Sequence, residues 1–87
     1  MIIKINYAKR FLRAFKKLTP NKQQLAIERE KIFIKDPFSL TLKTHKLSGE
    51  LKEYWSFSIT YQDRVMFRFV NDHEVIFYRI GSHDIYK

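Results

Sequence analysis

The second half of the chain contains two runs in which apolar and polar residues alternate with a period of two. In residues 55–59 large apolar side chains alternate with serines, and in residues 64–69 they alternate with Arg64, Met66 and Arg68. Such alternation is typical of sheet strands that bury one face. The segment 61–63 between the runs predicts a tight turn, so the two runs predict neighbouring antiparallel strands.

A third strand is predicted over residues 75–80, where Arg79 interrupts an otherwise apolar or aromatic run. Asn71-Asp72 before it is a turn signal, because Asn and Asp tolerate left-handed backbone conformations. We expect this strand to be central. We also expect the polar face of the sheet to be open and basic, with the following residues on it: Ser56, Ser58, Arg64, Met66 and Arg68. Residues 38–53 are the long irregular stretch, and such loops are usually functional or mobile.

The first half predicts one short strand and two helices. Isoleucines at positions 2, 3 and 5 suit a strand, and residues 7–18 carry aromatic and leucine side chains at helical spacing. Thr19-Pro20 is a helix start, and Asp36-Pro37 is a stop because the residue before proline avoids the helical region. The second helix is predicted over residues 20–35. Its candidate core residues are Leu25, Ile27, Ile32, Phe33 and Ile34.

These elements predict an α+β fold in the order β-α-α-β-β-β, as a single domain over residues 1–87. The short connection between the helices makes them an antiparallel hairpin, which would pack on one face of a small antiparallel sheet.

Composition narrows the function classes. The chain of 87 residues has a formal net charge of +8, which favours a polyanionic partner such as nucleic acid, an acidic protein or a membrane surface. It has no cysteine, and its three histidines are scattered, so neither a disulfide framework nor a metal site is expected. No apolar run is long enough to cross a bilayer, and the first residues do not resemble a signal peptide.

Two segments carry the residue types of phosphodiester chemistry. The strand end Ile80-Gly81-Ser82-His83-Asp84-Ile85-Tyr86 supplies a histidine and a tyrosine, and the loop Lys43-Thr44-His45-Lys46-Leu47-Ser48-Gly49 supplies a second histidine. Metal-free RNA cleavage needs a base for the 2′-OH, an acid for the 5′-oxygen and cations for the transition state. Histidines titrate near neutrality and could serve as acid and base, while Arg64 could bind phosphate oxygens.

The element order, the basic charge and these two segments, with the strand Asp63-Arg64-Val65-Met66-Phe67, resemble the RelE/ParE superfamily of bacterial toxins. The likeness is greatest to the YafQ-like branch of messenger-RNA endoribonucleases. It implies a microbial ribonuclease-like fold and cleavage of messenger RNA in the ribosomal decoding site without metal or cofactor. It also implies a cytoplasmic toxin inhibited by an acidic antitoxin.

The resemblance assigns roles to four residues. His83 matches the catalytic acid, His45 matches the loop histidine, Arg64 sits where many members place a phosphate-binding arginine, and Tyr86 resembles the aromatic that stacks on a base. Tyr86 follows His83 by three residues rather than the usual four. Two further catalytic positions of the branch are occupied by Ser58 and Gln62.

Four further basic residues are candidate RNA contacts, and two other functions remain possible for a chain of this kind. Lys43 and Lys46 could hold backbone phosphates, and Arg68 and Arg79 are further candidate RNA contacts. Arg64 could instead pair with Glu74 across the sheet. A ParE-like toxin that inhibits DNA gyrase by binding alone, and an RNA- or ribosome-binding module without catalysis, remain alternatives.

Overall fold

The structure is a computed structural model that describes residues 1–86, apart from the side chains of His83 and Asp84. Strand β1 (Lys4–Tyr7) is followed by helices α1 (Lys9–Lys17) and α2 (Pro20–Lys35). Four further strands complete the sheet in these residues: β2 (His45–Lys46), β3 (Trp55–Ser58), β4 (Arg64–Asn71) and β5 (Glu74–Gly81). Short 3-10 turns lie at Leu40–Leu42, Gly49–Leu51 and His83–Tyr86, and the last of these is named here the C-terminal turn.

The strands of the described part of the chain form one sheet in the order β1-β5-β4-β3-β2. The pairs β3–β4 and β4–β5 are antiparallel, as predicted, whereas β1 pairs parallel with β5. Strand β2, which lies in the stretch predicted to be irregular, was not predicted and pairs antiparallel with β3. After the helical hairpin the chain enters the sheet at the far edge with β2 and returns strand by strand until β5 lies beside β1. Strand β5 is therefore interior, but β4 and not β5 takes the central position.

Both predicted helices are present, with local signals at their ends. The backbone N–H of Lys22 donates to Oγ1 of Thr19 at 3.3 Å, and Pro20 opens α2 at a position where its missing N–H costs nothing. Asp36 is the extended residue that ends α2 before Pro37. The prediction that Ile27 belongs to the core is wrong, because its side chain is 42% exposed and Ala26 takes the buried position instead.

The core lies between the helices and one face of the sheet and is dominated by phenylalanine. Phe33 of α2 contacts the rings of Phe57, Phe67 and Phe77 at centroid distances of 4.9 to 5.3 Å. Each of these four side chains is at most 1% exposed. Close aromatic pairs supply large buried areas, so this cluster lets a small domain bury a substantial core.

The sequence predicted that the opposite face of the sheet would be open, but part of this face is covered. Ser56 is fully buried and Met66 is only 4% exposed. The C-terminal turn packs against β4 and β5 and covers this part of the sheet. A basic surface remains beside the turn.

None of the helices in the described residues is long and apolar enough to span a membrane.

Candidate functional site

A groove of about 620 Å³ runs beside the C-terminal turn, and we name it the arginine groove. Helix α1, β5, the turn at Gly49–Leu51 and the C-terminal turn all contribute to it. The lining includes Lys9, Arg10, Arg13, Glu50, Tyr54, Met66, Tyr78, Arg79, Ile85 and Tyr86. A second cavity continues from it past Gly81 and Ser82 and shares Arg10, Arg13 and Arg79. Among the described lining residues cations outnumber carboxylates, so the groove suits an anionic ligand.

A β-bulge aims two consecutive side chains of β5 into this groove. Met66 pairs with Arg79, and the next residue of β4, Phe67, pairs with Phe77, so Tyr78 is an extra residue on β5. Phe77 and Ile80 are buried toward the helices, which places both Tyr78 and Arg79 on the other face. Bulges re-aim side chains in this way beside functional sites.

Hydrogen bonds within the described part of the chain fasten the C-terminal turn to the sheet. The hydroxyl groups of Ser56 and Tyr86 are 2.5 Å apart, and Nη1 of Arg79 donates to the carbonyl oxygen of Ile85 at 3.2 Å. The ring of Tyr86 lines the groove, and Tyr54 and Tyr78 meet edge to face at 5.2 Å. The groove therefore combines cations with three tyrosines in its described lining.

His45 lies in the same cross-strand row of the sheet as Ser56 and Arg79. It pairs with Ser56, which pairs with Met66, which pairs with Arg79, so all four residues occupy one face. Nδ1 of the exposed His45 lies 3.1 Å from the carbonyl oxygen of Lys43. A carbonyl can only accept, so in the tautomer that makes this hydrogen bond Nδ1 is the donor and Nε2 is the acceptor.

Arg64 is held away from the arginine groove. Its Nη1 donates to the carbonyl oxygens of Thr60 at 2.9 Å and Tyr61 at 3.0 Å, which lie in the β3–β4 turn. Arg64 and Lys43 line a different cavity of about 250 Å³ with Arg29. Four of the predicted site residues are therefore divided between two cavities, with Arg79 and Tyr86 in the arginine groove and Lys43 and Arg64 in the other. Glu74, the alternative partner of Arg64, accepts a hydrogen bond from Asn6 instead.

Lys46 and Arg68 line neither cavity. Nζ of Lys46 lies 6.0 Å from the ring centroid of Trp55, on the face of β2 opposite to His45. Arg68 is half-buried, and its Nε has no hydrogen-bond partner among the described residues. His83 opens the C-terminal turn, but its side chain lies outside the described part of the structure, so its predicted catalytic role stays a prediction.

Several groove residues were not predicted from the sequence. Arg10 and Arg13 belong to a basic stripe on α1 that sequence alone cannot tell from a solvated face. Tyr54 lies in an irregular segment without a motif. The orientation of Tyr78 and Arg79 had a visible signal, because the interval from Phe77 to Ile80 breaks the period of two.

The fold is similar to those of several solved structures. YafQ from E. coli strain BL21(DE3) superposes with a TM-score of 0.78 over 94% of both chains at 17% identity. A copper-bound mutant toxin from Helicobacter pylori is 28% identical, with a TM-score of 0.77 over 97% of this chain and 98% of that one. The toxin–antitoxin complex RelBE2 from Mycobacterium tuberculosis gives a TM-score of 0.78 at 18% identity, over 95% of this chain and 100% of that chain.

The chain has the fold of the RelE/ParE toxins. The resemblance found in the sequence motifs is thereby confirmed at the level of the fold, including the likeness to YafQ. No family model matches the sequence, and no curated protein sequence matches it. In this RelE/ParE fold the arginine groove is lined by α1 and by the sheet face that carries Met66, Tyr78 and Arg79.

Proposed function

We propose that this chain is the toxin of a type II toxin–antitoxin system and cleaves messenger RNA at the ribosome without a metal. The observation that carries the proposal is the arginine groove, where Arg10, Arg13 and Arg79 stand beside Tyr54, Tyr78 and Tyr86. Cations bind phosphate oxygens and tyrosine rings stack on unpaired bases, which together suit single-stranded RNA. YafQ and RelBE2, whose fold it shares, are described as toxin or toxin–antitoxin proteins.

The reaction would use the 2′-OH of the nucleotide before the cut as the nucleophile. Its oxygen attacks the phosphorus, the bond from phosphorus to the 5′-oxygen breaks, and a 2′,3′-cyclic phosphate and a 5′-OH result. Arg79 and Arg13 would stabilise the charge that builds on the phosphate oxygens in the transition state. The carbonyl-bound tautomer makes His45 a candidate base, Glu50 offers a carboxylate in the groove, and His83 remains the sequence-predicted acid.

An acidic antitoxin would inhibit the enzyme by occupying the same cationic surface. The net charge of +8 favours such a partner. The E. coli DinJ-YafQ and Mycobacterium tuberculosis RelBE2 structures are toxin–antitoxin complexes with this fold.

The test is to add the purified chain to a translating bacterial extract and map the 5′ ends of the message, and in parallel to assay supercoiling by DNA gyrase. The proposal expects cuts at a fixed position within codons and normal supercoiling. Intact message with inhibited gyrase would replace it with a ParE-like activity. Intact message with unaffected gyrase, from folded protein bound to ribosomes, would indicate a binding module.

A further inference from the structure

A second cationic cavity lies apart from the arginine groove, and we name it the basic pocket. Arg29 of α2, Lys43 after the Leu40–Leu42 turn and Arg64 of β4 bring three cations into its lining. Thr41, Ser58 and Thr60 contribute hydroxyl groups, and no carboxylate belongs to its described lining. Like charges repel when they converge, so a pocket of this composition favours an anion with several acceptor oxygens.

The pocket is organised before any ligand arrives. Among the described residues, Nη1 of Arg64 donates to the main-chain carbonyls of Thr60, Tyr61 and Asp63, which fixes the guanidinium plane. The accepting turn is itself fixed by Asp63, whose Oδ2 accepts from Oγ1 of Thr60 at 2.7 Å and lies 3.2 Å from Nζ of Lys22. A fixed guanidinium loses less entropy when it binds a phosphate.

Tyr61 adds an aromatic surface beside these cations. Tyr61 is 90% exposed and belongs to the lining of the basic pocket. A single exposed tyrosine is unremarkable by itself, but a phosphate bound in the pocket would place the attached nucleotide beside this ring. Stacking on an exposed ring is the usual way in which single-stranded RNA is held without sequence readout.

The pocket and the groove are neighbours on the sheet. Ser58, Arg64 and Gly81 form one cross-strand row, next to the row of Ser56, Met66 and Arg79. Gly81 also lines the continuation of the arginine groove. An RNA strand that leaves the groove past Gly81 would meet Arg64 next.

We propose that the basic pocket is a second RNA subsite, which holds a backbone phosphate through Arg29, Lys43 and Arg64 and stacks a base on Tyr61. This inference rests on the proposed function, but it assigns Arg64 to anchoring the substrate and not to the reacting phosphate. Loss of the subsite would raise KM and leave kcat unchanged, as expected for uniform binding energy.

The experiment measures binding of a fluorescent single-stranded RNA at several salt concentrations, followed by cleavage kinetics on programmed ribosomes. Arg29→Gln should reduce the slope of log affinity against log salt by about 0.7, the value for one phosphate contact on a single strand. Tyr61→Ala should weaken binding roughly tenfold, whereas Tyr61→Phe should bind like the wild type. The matched control is Lys31→Gln, which removes one exposed charge from the same helix and should keep the wild-type slope.

The outcomes separate this inference from the proposed function. If the wild type binds and cleaves RNA but Arg29→Gln behaves like Lys31→Gln, the subsite is refuted and the ribonuclease stands. An Arg29→Gln variant that binds RNA normally but loses affinity for an acidic polyglutamate peptide would mark the pocket as a protein contact. If the wild type neither binds nor cleaves RNA, both proposals fail.

Discussion

The hydroxyl of Tyr86 lies 2.5 Å from Oγ of Ser56, a side chain with no exposed surface in the middle of the sheet. A buried hydroxyl without a partner is costly, so the bond both satisfies Ser56 and fastens the C-terminal turn. Because the ring of Tyr86 also lines the arginine groove, the order of the groove depends on this contact.

Tyr86→Phe should lower the free energy of unfolding by about 1 kcal/mol, because it leaves the Ser56 hydroxyl buried and unpaired. In the double variant Ser56→Ala/Tyr86→Phe neither partner remains, and part of the loss should be recovered. Urea unfolding of the wild type, the two single variants Ser56→Ala and Tyr86→Phe, and the double variant measures the coupling free energy between the two hydroxyl groups. Tyr61→Phe, at an exposed ring, is the control. Strictly additive losses would show that the two hydroxyls do not interact.

Arg79→Gln and Arg13→Gln should each slow cleavage at saturating substrate, by roughly a hundredfold for a donor that acts in the transition state. Lys17→Gln is the matched control, since it removes an exposed charge from α1 outside the described lining of the groove. Single-turnover rates on programmed ribosomes provide the measurement. Equal rates for all three variants would remove the groove arginines from the reaction.

Tyr7 should make the protein sensitive to alkali. Partial burial of its ring, the hydrogen bond that it donates to Glu30 at 2.9 Å and the negative charge of Glu30 raise the pKa of Tyr7 above its usual range. A raised acid pKa gives stability that is complete below the unfolded value of about 10 and is lost as the pH rises beyond it. Tyr7→Phe should therefore flatten the fall in Tm above pH 10. An unchanged slope would contradict this account.

Asp63 should matter more to stability through Thr60 than through Lys22. The side chain of Asp63 is 6% exposed and that of Lys22 is 40% exposed, so solvent screens the ammonium of the ion pair, while the hydrogen bond from Thr60 is partly buried. Asp63→Ala should lower the free energy of unfolding by about 2 kcal/mol, and Lys22→Gln by less than about 1 kcal/mol. Chemical denaturation decides between them. A larger loss for Lys22→Gln would reverse this order.

The fold was predictable because most of its signals are local. The alternation in β3 and β4, the Thr19-Pro20 helix start and the Asp36-Pro37 stop each act within a few residues. The covered sheet face was not predictable, since Ser56 and Tyr86 meet across 30 residues of chain. A polar strand face looks the same in sequence whether water or a later segment covers it.

The arrangement of the candidate site residues was predictable only in part, for the same reason. His45 and Arg79 lie in one row of the sheet, whereas the side chain of Arg64 is bonded to the β3–β4 turn and does not line the groove. Cross-strand register determines which side chains can meet, and the direction of a long side chain depends on carbonyls that only the folded turn exposes. Neither property is written in the local sequence.

The most direct test is the chemistry of the RNA ends that form on programmed ribosomes. The message would carry either a normal ribose or a 2′-deoxyribose at the mapped cut site. We expect a 2′,3′-cyclic phosphate and a 5′-OH with the ribose, and no cut with the deoxyribose. A 3′-OH end, a cut that persists with the deoxyribose, or intact message in both cases would contradict it.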